Sequence, residues 1–107
     1  MFLIAYFSSG PVGGGNHTPV ANAGPDQTLN HPNVVTLDGS ASSDSDGETL
    51  TFSWVQTSGL TVMLDDNTAE MPTFSTLNAG DTYVFQLTVT DPKGANSTDT
   101  VTITVNP

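Results

Sequence analysis

Cysteine is absent from this chain, so no disulfide staples it and no thiolate can act as nucleophile or soft metal ligand. Basic residues are almost as scarce. Lys93 is the only lysine or arginine, against 11 acidic residues, and the formal net charge is −10. No basic patch can be assembled to neutralise phosphates, which excludes nucleic acid as a partner. The same shortage argues against docking on anionic lipid. A long hydrophobic run is missing too: nothing approaches the roughly 18–20 apolar residues of a membrane-spanning helix. The apolar stretch "MFLIAYF" at Met1–Phe7 has no basic region before it and no small-residue cleavage site after it, so it does not read as a signal peptide. Helical periodicity is lacking throughout, and the 107 residues suffice for one domain with one core.

What remains is a polar, threonine-rich chain with a period of two; it holds 17 threonines. Exposed threonine at alternating positions is a β-surface signature. "NVVTL" places Val35 and Leu37 on one face, and "ETLTFSWVQ" alternates Leu50, Phe52 and Trp54 with polar neighbours. "TVML" reads as a short strand at 61–64. "DTYVFQLTVTD" sets Tyr83, Phe85, Leu87 and Val89 on one side, and "TDTVTITVN" does the same with Val101, Ile103 and Val105. Between them lie "NAGPDQ", "DGSASSDSDG", "TSG", "LNAGD" and "DPKGAN", all turn-forming. Short alternating strands punctuated every 8–12 residues predict an all-β fold, with two sheets packed face to face. Val35, Leu37, Phe52, Trp54, Phe85, Leu87, Val101 and Ile103 are the expected core. Tyr83, three residues after Gly80, stands where immunoglobulin-like folds often place a corner tyrosine bonded to the preceding loop.

The segments "PVANAGPDQTL", "VTLDGSASSDSDGETLTFSWVQTSG" and "TFSTLNAGDTYVFQLTVTDPKGANSTDTVTITV" together resemble the polycystic kidney disease (PKD) domain, over Thr18–Pro107. Here "SWVQTSG" replaces the W-D-F-G-D-G form of many members. The resemblance implies an immunoglobulin-like two-sheet β-sandwich, an extracellular or cell-surface location and no catalysis. It also implies that the domain is a spacer, an adhesive unit or an accessory module of a secreted protein. Some PKD domains of secreted bacterial enzymes bind calcium through a linker asparagine, the aspartates of S-x-D-x-D-G and the aspartate of V-T-D. The matching positions are Asn16, Asp44, Asp46 and Asp91, so the resemblance makes these a calcium site.

The residues themselves allow that reading and an ordinary one. Carboxylates brought together from separate loops repel one another without a cation. Asp44 and Asp46 equally suit Asx-type turns, with Asp91 solvated. An EF-hand is excluded: with Ser42 at its first position, the twelfth is Ser53, where a bidentate glutamate is required. Enzymatic parts are lacking. His17 and His31 fall in loops, no G-x-S-x-G occurs, and the Asp65-Asp66 pair has no recognisable acid partner. Asn16-His17-Thr18 and Asn96-Ser97-Thr98 are N-glycosylation sequons, relevant if the chain is exported.

Residues 1–7 are apolar on both faces of an extended strand, with Phe2, Ile4 and Tyr6 on one side and Leu3, Ala5 and Phe7 on the other. A strand buried on both sides looks like this, and one left in water is an aggregation hazard. Residues 8–17 form a Gly-rich linker, and 18–107 the sandwich. Three placements suit such a strand: folded back on its own sandwich, left as the stub of a processed export segment, or inserted into a neighbouring copy; the last leads to a specific expectation. The chain is a non-enzymatic extracellular subunit that inserts its N-terminal strand into another copy of itself and so builds a surface filament. The alternative is a spacer or carbohydrate-adhesion module of a larger secreted enzyme or adhesin, stabilised by calcium.

Overall fold

In the computed structural model the described residues are 16–31, 34–76 and 80–107. The expected donor strand at 1–7 and most of the linker lie outside them. Among the described residues six strands occur: β1 (Gln27–Asn30), β2 (Val34–Thr36), β3 (Thr51–Ser58), β4 (Thr73–Ser75), β5 (Thr82–Thr90) and β6 (Asn96–Asn106). They form a four-stranded sheet in the order β1-β6-β5-β3 and a two-stranded sheet of β2 and β4. No helix occurs among the described residues.

The period-two reading of the three long strands agrees with the structure. In β5 the even positions face outward, while Tyr83, Phe85, Leu87 and Val89 are fully buried. Register joins them to both neighbours: Trp54 pairs with Leu87, and Phe85 with Val101. From the small sheet, Val35, Leu37 and Phe74 complete one core between the layers. Phe74 fastens the two sheets through ring contacts with Tyr83 at 5.4 Å and Phe85 at 5.1 Å. Of the expected core, Phe52 alone is only partly buried. The Trp54 indole Nε1 donates to the Ala69 carbonyl at 2.9 Å, so its polar atom is satisfied within the core. Gly39 makes that packing possible: a Cβ there would stand 3.1 Å from both Trp54 and Leu87 side-chain atoms.

Three local expectations need revision or addition. Residues 61–64 are not a strand. The Gln56 side chain takes the ladder's place, its Oε1 accepting from Val62 N and its Nε2 donating to the Ser58 and Leu60 carbonyls. β1 and β4 are strands of four and three residues that period-two reading does not single out. β1 runs parallel to β6, and side chains of β6 and of its own approach segment hold the backbone there. Ser97 Oγ accepts from Ala21 N, Asp99 Oδ2 from Ala23 N, and Asp26 Oδ1 from Thr102 N. The Tyr83 ring is fully buried, as a corner tyrosine should be, but its hydroxyl has no partner among the described residues. Residues 77–79, part of the loop expected to receive it, lie outside them.

Candidate functional site

Three stretches meet at one end of the sandwich: the entering chain at Asn16–His17, the loop 44–48, and the turn 91–95. Each is shaped by its own carboxylates. Asp44 Oδ1 accepts from Asp46 N at 2.8 Å, and Gly47, at φ 71°, closes that turn by donating its N–H to the Asp44 carbonyl. Asp91 follows the last residue of β5 and is 4% exposed. Its Oδ1 accepts from Lys93 N at 2.9 Å and Ala95 N at 3.0 Å, which folds the turn into β6.

The entering chain is fastened at two points. Asn16 Nδ2 donates to Asp91 Oδ2 at 2.7 Å. His17 N–H donates to Asp46 Oδ2 at 2.7 Å, and its ring Nδ1 lies 2.8 Å from Asp46 Oδ1. These contacts bias ionisation in opposite senses. The Asn16 amide, helped by the backbone N–H groups of the turn, holds the Asp91 carboxyl below the usual range. The His17 N–H and ring do the same to Asp46. In return the Asp46 carboxylate raises the His17 pKa above its ordinary value.

Of the four residues matched to a calcium site, the structure joins Asn16 to Asp91 and Asp44 to Asp46, but as two separate groupings. The carboxylates that crowd together are Asp44, Asp46 and Glu48, with one oxygen of each within 4.8 Å of the others. Asp91 is not part of that cluster; its oxygens are taken by the turn and by Asn16. Asp44 Oδ2 and Glu48 Oε1 are shielded from solvent and have no hydrogen-bond partner among the described residues. An all-oxygen cluster with two such orphaned atoms suits a hard cation. Lys93 Nζ stands 3.5 Å from Glu48 Oε2 and supplies part of the countercharge. Sequence reasoning missed Glu48, His17 and Lys93. The alternation Asp44, Asp46, Glu48 in "DSDGE" is the signal that could have found the first. The two sequon asparagines differ: Asn16 has its amide tied to Asp91, whereas exposed Asn96 opens β6 with a 3.3 Å bond to the Gly94 carbonyl.

Comparison with known proteins agrees with this architecture. The family described as "K319L-like, PKD domain" matches residues 23–105. The human dyslexia-associated protein KIAA0319 is 41% identical over 92 residues, covering 84% of this chain but 8% of that protein. Mouse low-density lipoprotein receptor-related protein 11 is 40% identical over 92 residues, 83% of this chain and 19% of its own length. This chain therefore spans a small part of each of these relatives. The solution structure of the PKD domain from the KIAA 1837 protein superposes with a TM-score of 0.72 at 36% identity. That match covers 88% of this chain and 92% of the other. With the same two-layer sandwich and a family match across nearly all of it, the chain belongs to the PKD-domain family, in its KIAA0319-like branch.

Proposed function

We propose that this domain is a non-enzymatic extracellular spacer module of a larger surface protein, with a stiffened joint where the chain enters it. The observation that carries this reading is the double fastening of Asn16 to Asp91 and of His17 to Asp46. A chain held at two consecutive residues leaves the sandwich in a fixed direction, which a spacer needs and a free linker does not provide. Relatives many times longer than this chain, one of them named a receptor-related protein, support a modular, surface-exposed setting.

Calcium fits the joint. Asp44, Asp46 and Glu48 would hold it, and its charge would relieve the repulsion among three carboxylates that now share Lys93 and His17 as countercharges. Asp91 and Asn16 would act beside the ion, keeping the entering chain against the turn. Nothing catalytic is required of any of these groups.

The test is thermal melting of the full chain in calcium and in excess chelator, with Asp44→Asn alongside. The expected result is a higher melting temperature in calcium that the variant no longer shows. An identical pair of curves for the unaltered chain removes calcium from the account. Sedimentation of the same material tests the alternative, insertion of Phe2, Leu3, Ile4, Tyr6 and Phe7 into another copy to build a filament. A monomer supports the spacer, and polymers that disappear on deleting residues 1–15 support the filament.

A further inference from the structure

Charge is distributed unevenly over this sandwich. The outward positions of β3, β5 and β6 hold no charged residue, in a chain of net charge −10. Among the described residues Asp99 is the one acidic residue inside a strand, and it turns inward, its Oδ2 accepting from Ala23 N. What faces outward is mostly hydroxyl and methyl. On β6 the column runs Asn96, Thr98, Thr100, Thr102 and Thr104, and register sets Thr90, Thr88 and Gln86 beside its first three members. At a strand spacing of about 4.8 Å and a rise of about 3.4 Å per residue, the face measures roughly 30 Å by 14 Å. That is on the order of 400 Å², half of what each partner buries in a standard protein interface, and the face offers no aromatic or charged anchor.

The β6 column begins at a chemical handle. Asn96-Ser97-Thr98 is one of the two sequons, and the strand puts its members on different sides. Ser97 points inward and accepts from Ala21 N, while Asn96 and Thr98 stand exposed on the outer face. The backbone beneath them is fixed. Asp91 N donates to the Ala95 carbonyl at 2.9 Å, and Asp91 Oδ1 holds Lys93 N and Ala95 N. The Asn96 amide itself makes a 3.3 Å bond to the Gly94 carbonyl, longer than the usual range of about 2.7–3.2 Å, whereas Asn16 holds Asp91 at 2.7 Å. A substituent on Asn96 Nδ2 therefore gives up little and enters open solvent beside Thr98. One on Asn16 stands in the joint.

We propose that Asn96 carries an N-linked oligosaccharide and that this glycan lies over the uncharged outer face of β6 and β5. The donor is a lipid-linked oligosaccharyl diphosphate. Asn96 Nδ2 bonds to the anomeric carbon of the first sugar, and the carbon–oxygen bond to the diphosphate breaks. The lipid diphosphate leaves with the bonding electrons, and one Nδ2 proton passes to a base of the transferase. A neutral, hydroxyl-rich chain rooted at the head of the threonine column meets hydroxyls and methyls there and desolvates no ionised group. The inference rests on the extracellular setting proposed above, since transfer takes place on an exported chain. The test supplies the export, so a failure falls on the acceptor and not on the location.

The full chain is secreted from cultured eukaryotic cells behind a cleavable export signal, and its intact mass is measured before and after peptide N-glycosidase. An oligosaccharide increment is expected, which the enzyme removes while converting the Asn96 side chain to a carboxylic acid. Asn96→Gln and Thr98→Val should each abolish the increment at this site, and Asn16→Gln should leave it. Thr98→Val keeps a branched side chain on the strand, so its effect reports the sequon and not the fold. Amide chemical shifts then compare the glycosylated chain with the same chain trimmed to its first sugar. Differences are expected at Thr98, Thr100 and Thr88, with none in β2 or β4. The proposal is overturned if the secreted chain leaves Asn96 unmodified, with or without a glycan on Asn16. It is overturned as well if the increment at Asn96 survives Thr98→Val, or if trimming shifts no residue of the face beyond 94–97.

Discussion

Trp54 plugs the core, and its replacement is the most informative perturbation of the fold. Its ring is 1% exposed and packs among Gly39, Leu87 and the Ala69 carbonyl. Trp54→Ala removes the largest buried side chain and leaves a cavity that the close approach of Gly39 cannot fill. The cost should be about 3–5 kcal/mol from lost transfer energy plus cavity. Against a total stability of roughly 5–15 kcal/mol for a domain, that is a large share. Trp54→Phe separates two contributions. It keeps an aromatic ring but deletes the Nε1 donor, leaving the Ala69 carbonyl unpaired at a cost of about 1–3 kcal/mol. Urea unfolding followed by far-ultraviolet circular dichroism measures both, since the single tryptophan is lost as a fluorescent reporter. If Trp54→Ala costs under about 1 kcal/mol, the plug-and-cavity reasoning for this core is refuted.

Further perturbations follow the same logic. Gly59 has φ 95°, and a Cβ there would fall 2.3 Å from the Thr82 carbonyl oxygen, so Gly59→Ala should destabilise by about 2–4 kcal/mol from left-handed strain and backbone displacement. Denaturant titration checks it, and an unchanged midpoint contradicts it. The folded pKa values of Asp46, Asp65, Asp66 and Asp91 are depressed, so their contribution is complete above the ordinary value of 3.8 and lost as pH falls through the lower folded values. For His17 the folded pKa is raised, so its contribution is complete below 6.5 and lost as pH rises through the folded value. Melting temperature should therefore drop in acid and fall by a smaller step as pH rises past 6.5, and Asp46→Asn should erase the upper step and shrink the acid drop. A curve that keeps rising from pH 6 to pH 8 contradicts the His17 assignment.

The long strands were legible because burial on one face writes itself into alternate positions, as in Tyr83, Phe85, Leu87 and Val89. The short ones were not. β1 offers one apolar residue, Leu29, and its place beside β6 is set by Ser97, Asp99 and Asp26, whose partners are 76 residues away in the chain. The failure at 61–64 has the same origin: a glutamine side chain, Gln56, supplies the hydrogen bonds that a neighbouring strand would have made. At the candidate site, Asp44 and Asp46 were singled out by the resemblance to PKD domains. The division of labour was not, because it depends on the turn at 91–95 enclosing the Asp91 carboxylate and on Glu48 returning toward Asp44. Period and turn chemistry are local and survive in one sequence, whereas side-chain capture across the fold appears only with the coordinates.

The central claim is that the chain is fastened from Asn16 onward, so that the domain presents a fixed joint. Backbone nitrogen-15 relaxation of the full chain at neutral pH tests it directly. The account predicts order parameters of about 0.85 at Asn16 and His17, equal to those of β5 and raised or unchanged by calcium, falling in Asp46→Asn. Values below about 0.6 at both residues, with and without calcium, would contradict it.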